Sequence, residues 1–257
     1  MHAERAPKSS PRPGVAAAAT QPVTEENDLR NIPLLDDAIQ HEAELAAKTK
    51  WRGWIHAGTF PLAIAAGIVL IVLSDGGPAK IASAIFMASS LLLFGVSAVY
   101  HTFNWSPSVK AVFRRLDHSN IFLLIAGTYT PLAIDALEWP KNVIMLSVIW
   151  GGAILGILSR IFWLKAPRWS YVVLYIALGW AAVIYMGDLF AANPVTMILV
   201  IIGGLSYTTG ALFYAFKRPN PVPGVFGFHE LFHTCTVIAF LCHWTGILLV
   251  AMHPIAG

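Results

Sequence analysis

The chain has 257 residues, of which 56% are hydrophobic and only 12% charged, with a mean hydropathy of +0.64 and a formal net charge of +3. A soluble domain carries roughly 25% charged residues, so half of the charge needed to face water is missing. The deficit falls on residues 51–257, which hold eleven basic and six acidic groups, and it excludes an ordinary soluble enzyme, a secreted disulfide scaffold and a nucleic-acid-binding module.

Residues 1–50 form a polar tail with six basic and eight acidic groups. Its first thirty residues are rich in Pro, Ala, Ser and Thr, with no apolar run long enough for a signal peptide, and they are expected to be disordered and retained. Leu34–Lys48 is expected to form a short helix after Pro33, with an acidic face unsuited to anionic lipid.

Seven apolar stretches of about membrane-spanning length follow, at about Gly53–Leu73, Ala79–His101, Ser119–Ile134, Asn142–Ile161, Ser170–Leu189, Val195–Phe216 and His229–Ala251. Turn-forming residues separate them, among them Gly76, Gly77 and Pro78, Pro107, Pro140, Pro167, Pro194 and the Pro-rich run to Pro223. The third stretch is short, and can start earlier, at Phe113, if Arg114 and Arg115 snorkel. Its Gly127-Thr-Tyr-Thr-Pro131 run predicts a kink or an end, because Pro131 has no N–H for the Gly127 carbonyl. Thr128 and Thr130 are expected to refill the broken ladder.

Fifteen basic residues fall on the side of the tail, against Lys80 and Lys141 on the other. By the positive-inside rule the N-terminus is cytoplasmic and the C-terminus outside. The sequence thus predicts an all-α, polytopic, seven-transmembrane helix bundle in the cell membrane, with the tail (1–50) cytoplasmic and the membrane domain at 51–257. Cys235 and Cys242, seven residues apart in one helix, are about 10.5 Å apart along its axis, too far for a disulfide, and read as small buried hydrophobes.

The predicted topology brings together residues distant in the chain. The second span ends at His101 and the seventh begins with His229-Glu-Leu-Phe-His233, so both carry imidazoles to the cytoplasmic side. His229 and His233, at i and i+4, share one helix face, a spacing suited to one metal ion. Ser97 lies one turn from His101, and Asp117 opens the third span at the same depth. Singly, each has an ordinary structural role: a packed histidine, an interfacial ion pair of Asp117 with Arg114 or Arg115, a small Ser97 that lets helices approach. Together they form a candidate site, since ionisable groups within a membrane are costly.

Three imidazoles suit zinc and leave a fourth position for water. Asp117 is the candidate for accepting a proton from that water, and Ser97 for a hydrogen bond beside it. The alternative is a zinc ion that only clamps the second and seventh spans. His243 lies about 15 Å beyond His233 along the helix, too far to share an ion, and His118 points about 100° away from Asp117. His56 is a reserve ligand, and Glu230 is expected to face a loop cation.

Ser97-x-x-x-His101, Arg115-Leu-Asp117-His-Ser-Asn-Ile-Phe-Leu-Leu-Ile-Ala-Gly-Thr-Tyr-Thr-Pro131 and His229-Glu-Leu-Phe-His233 resemble the bacterial hemolysin III family. That family lies within the progestin and adipoQ receptor group of seven-span proteins, which is related to the alkaline ceramidases. The resemblance covers about residues 51–257, including Gly203–Tyr207 and Gly210–Tyr214, and leaves out the tail. It implies zinc on His101, His229 and His233 near the cytoplasmic face, with Asp117 and Ser97 close by. It further implies hydrolysis of ceramide or another lipid amide in receptor-type relatives, and a historical cytolysin label for bacterial ones. The expected function is zinc-dependent hydrolysis of a lipid amide or a role in membrane-lipid homeostasis. The alternatives are a receptor or regulator with structural zinc, and a cytolysin. Membrane lipids are the expected partners; the sequence sets no oligomeric state.

Overall fold

The computed structural model describes residues 49–163 and 168–255. The expected disordered tail and its short helix at Leu34–Lys48 lie outside the described residues. Among the described residues the regular structure is entirely helical: α1 (Trp54–Leu73), α2 (Gly76–Thr102), α3 (Pro107–Ala136), α4 (Lys141–Phe162), α5 (Arg168–Gly179), a 3₁₀ turn (Ala181–Tyr185), α6 (Met186–Ala192), α7 (Pro194–Phe216) and α8 (Phe228–Ala251). Six segments are long and apolar enough to cross a membrane: α1, α2, α4, α7, α8 and the composite Ser170–Ala192. Apolar side chains point outward from them, with Val72 68%, Ile81 63%, Leu155 69% and Ile184 73% exposed, as a lipid-facing belt requires.

The expected third span fails that apolarity test for a physical reason. α3 is 30 residues long and sits inside the bundle, packed against α2, α4, α5, α6 and α8. Its middle faces other helices rather than lipid, so Ser119, Asn120, Thr128, Thr130 and Asp135 are buried in it. The helix starts at Pro107, a residue whose fixed φ suits a first helical turn, well before the expected Ser119. It also runs on through Pro131 to Ala136 instead of ending there. The Thr128 and Thr130 hydroxyls donate to the carbonyls of Leu124 (2.7 Å) and Ala126 (2.8 Å), so they do not serve the Gly127 carbonyl as expected. Gly127 is where α2 and α3 cross closely: a Cβ there would overlap the Ser89 side chain.

The ring of helices closes by contacts of α8 with both α7 and α1. Backbone bonds tie each end together. At one end Trp51 N–H donates to the Val225 carbonyl (3.4 Å); at the other, Asp75 N–H donates to Ala251 (2.7 Å) and Ile255 N–H to Asp135 (3.0 Å). Alternate helices therefore run in opposite directions, which gathers the end of α2, the start of α3 and the start of α8 at one end.

The fifth segment is broken, which the sequence reading did not foresee. α5 stops at Gly179 and helical structure resumes through the 3₁₀ turn into α6. A break inside a bilayer leaves backbone groups without partners. Tyr129 of α3 supplies both: its hydroxyl donates to the Gly179 carbonyl (2.7 Å) and accepts from Ala182 N–H (2.8 Å).

Candidate metal centre

Two helices deliver the three histidines predicted as ligands. His101 lies in the last turn of α2, backed by Gly53, whose φ of 90° and lack of a Cβ let the chain pass; a Cβ would come within 2.9 Å of the His101 carbonyl carbon. His229 and His233 lie on the first turns of α8, one turn apart and on the same face. Ring centroids are separated by 4.6 Å (His101–His229), 5.2 Å (His101–His233) and 4.6 Å (His229–His233). One ligand nitrogen from each lies within 4.8 Å of the other two. Nitrogens about 2.0–2.1 Å from one tetrahedral ion stand about 3.3 Å apart. His101 Nε2 and His229 Nε2 are already 3.2 Å apart. The buried His233 Nδ1 has no hydrogen-bond partner. This donor set fits a metal ion.

Around the triad the predicted companions fall into place unequally. Asp117 Oδ2 stands 3.7 Å from His101 Nε2, beside the triad rather than within it. Ser97 is buried one turn before His101, within electrostatic reach of the Asp117 carboxylate. Ser97, Asp117 and His233 line a common cavity of about 90 Å³. Most of its wall is apolar, from residues such as Leu93, Leu124, Ile125 and Phe232, with Thr128, Tyr129, Trp180 and Tyr207 further along.

His56, the reserve ligand, is not one of the three close ligands. Its ring stacks on His233 with centroids 3.8 Å apart and planes 12° from parallel, and neither of its nitrogens has a hydrogen-bond partner. It also lines the cavity next to the triad. The readable signal was an ionisable residue near the same end of a membrane-spanning helix. His243 is likewise apart from the triad, with Nε2 3.3 Å from the Val200 carbonyl, and it lines the cavity as well. His118 turns away from Asp117 and meets Arg160.

Glu230 points away from the triad and is fully buried. One carboxylate oxygen accepts from the Gly227 N–H (2.8 Å), capping α8. The other accepts from the Thr49 hydroxyl and lies 3.6 Å from Arg52 Nε. The loop cation expected for it is Arg52, just before α1. This clasp anchors the helix that carries two of the three histidines. Cys235 and Cys242 are free, as expected, but only partly buried.

The family described as Haemolysin-III related matches residues 46–244. The chain is 34% identical to Hemolysin-3 of Bacillus cereus over 161 residues, covering 61% of this chain and 73% of that protein. It is 33% identical to the Hemolysin-3 homolog of Bacillus subtilis (strain 168) over 135 residues, 52% of this chain and 63% of the relative. It is also 31% identical over 188 residues to Progestin and adipoQ receptor-like protein 1 of Caenorhabditis elegans, covering 65% of this chain and 43% of the nematode protein. The chain thus spans somewhat less than two thirds of the Bacillus subtilis relative and less than half of the nematode one. An all-helical bundle with six apolar segments of spanning length, three clustered histidines and this match over most of its length agree: the chain is a multi-pass membrane protein of the hemolysin III family, within the progestin and adipoQ receptor group.

Proposed function

We propose that the chain holds one zinc ion on His101, His229 and His233 and hydrolyses the amide bond of a ceramide-like lipid at that site. The observation that carries this reading is one juxtaposition: three imidazoles within 4.8 Å, a carboxylate 3.7 Å from one of them, and a mostly apolar cavity opening on both. Held by His101, His229 and His233, a zinc ion would supply Lewis-acid activation of water and of the amide carbonyl.

The chain's own residues supply the remaining chemistry. Asp117 takes the proton at a carboxylate oxygen and passes it to the leaving amine, with Ser97 orienting that carboxylate. The apolar wall holds the acyl chain and excludes bulk water. His56, stacked on His233, keeps that ring in place.

We further propose that α3 is the seventh span, in keeping with its 30 residues and central packing, and that the histidine end faces the cytoplasm, in keeping with the fifteen-to-two basic asymmetry. A second reading, a receptor or regulator with structural zinc, draws support from the printed name of the nematode relative. The cytolysin reading draws only on the name of the Bacillus relatives. The cavity wall is mostly apolar, which suits a lipid chain better than an ion path.

Zinc content and hydrolysis of a panel of ceramides and other lipid amides, measured on the same Asp117→Asn preparation, test the proposal. The amide keeps the shape but takes no proton at neutral pH, so zinc should remain and most turnover should go. Zinc kept with hydrolysis unchanged removes Asp117 as the base. Wild-type protein that holds zinc yet turns over none of the panel favours the receptor reading.

A further inference from the structure

We propose that Arg160, held by His118 and Tyr171, binds the phosphate group of a membrane phospholipid at the histidine end of the bundle. Arg160 stands in the last turn of α4, and its Nη2 lies 2.7 Å from His118 Nδ1 on α3. Its guanidinium carbon stands 4.3 Å from the centre of the Tyr171 ring on α5. The guanidinium only donates, so His118 Nδ1 accepts and the imidazole proton sits on Nε2. The Tyr175 hydroxyl, donating to the His118 carbonyl at 2.9 Å, and the stacked Tyr171 ring, 5.8 Å away, hold His118 in this position.

Among the described residues no carboxylate bonds or ion-pairs with Arg160. From Trp139 to Gly187 the sequence contains no Asp or Glu, so neither α4 nor α5 offers a carboxylate. The acids at this end among the described residues are Asp117 and Glu230. Asp117 pairs with His101, and Glu230 is closed by Gly227, Thr49 and Arg52. Arg160 Nε is buried and has no hydrogen-bond partner. Among the described residues this permanent positive charge, within an apolar segment, has a neutral imidazole and an aromatic face as its partners, a setting suited to an anionic ligand. Stacking on Tyr171 fixes the guanidinium plane and leaves N–H groups at its edge, and the planar fork matches phosphate oxygens in pairs. Lipid phosphate is the anion found at the ends of membrane-spanning helices, and Arg114 and Arg115 extend the basic rim there. The site uses none of the three histidine ligands and stands independently of the hydrolase reading.

The test uses the full chain purified in a neutral detergent, with thermal melting followed as lipid is added to the micelles. Phosphatidylglycerol should raise the melting temperature saturably, whereas diacylglycerol of the same chains should not. Inorganic phosphate should have little effect at matched concentration. Arg160→Gln should raise the half-saturating mole fraction of phosphatidylglycerol about tenfold or more, the scale of a lost charged hydrogen bond. Lys217→Gln, on an exposed side chain in the loop after α7 and outside the cluster, should stay near wild type. If Arg160→Gln does not fold, Arg160→Lys, which keeps the charge but loses the fork, should still shift half-saturation upward. An unchanged half-saturation in the variant used, or an equal effect of diacylglycerol, overturns the proposal. An equal saturable effect of inorganic phosphate assigns the site to a soluble anion and overturns the lipid assignment. Chelating the metal should leave the phosphatidylglycerol effect in place.

Discussion

Tyr129→Phe isolates a single oxygen with two backbone partners. The ring is only 5% exposed and its packing is retained in Phe, so the change removes the hydroxyl and little else. It deletes the bonds to the Gly179 carbonyl at 2.7 Å and from the Ala182 N–H at 2.8 Å, and leaves both groups unpaired at the break after α5. Each buried unpaired polar group costs about 1–3 kcal/mol, so the expected loss is about 2–6 kcal/mol. Side chains already paired in the unfolded membrane state would bring the effect toward the lower end. The assay is reversible denaturant unfolding in mixed micelles, with Tyr207→Phe as the control. The Tyr207 hydroxyl makes no recorded hydrogen bond among the described residues, so its loss should cost about 0.5 kcal/mol or less. If Tyr129→Phe costs no more than Tyr207→Phe, the hydroxyl does not hold the break and the reasoning fails.

Other predictions address the metal, the clasp and the topology. His233→Ala should lose most bound zinc while His243→Ala keeps it, read by elemental analysis of purified protein; equal zinc in both variants would remove the triad as the ligand set. Glu230→Gln weakens the α8 cap and leaves Arg52 without its carboxylate, so stability should fall by about 1–3 kcal/mol, and limited proteolysis ahead of α1 should speed up. Cleavage at the wild-type rate would show that the clasp does not anchor that segment. A reporter fused after Gly257 should report outside and one within residues 106–110 cytoplasmic; both on one side would overturn the seven-span topology.

Much of the bundle was legible because apolar runs and turn residues are local signals. The ends of α1, α4, α7 and α8 fall within about a residue or two of the predicted limits, and Asn193 and Pro194 start α7 as a cap and first-turn proline should. The histidine site was legible because helix geometry alone puts His229 and His233 on one face, and alternating helix direction brings His101 to the same end. What escaped the sequence depends on neighbours. The break after Gly179 lies in an unbroken apolar run and is held by a residue fifty positions earlier. α1 is apolar on every side, so nothing local shows that His56 turns inward onto His233. α3 looked too short because its burial lets it carry Asn120, Thr128 and Asp135 where a lipid-facing helix would not.

The broken fifth segment also constrains how the chain is made. α5 has 12 residues, about 18 Å of helix, and α6 only 7 residues, so neither piece alone crosses a hydrocarbon core of about 30 Å. While the chain emerges from the ribosome, Tyr129 has been synthesised and can be folded before Gly179 and Ala182 arrive. The carbonyl and N–H that the break would expose to lipid can therefore be met as soon as they enter the bilayer. A rearranged gene that placed the fifth segment ahead of α3 would reverse that order, presenting the break to lipid before its partner existed, and insertion should fail at that step even though every final contact is preserved.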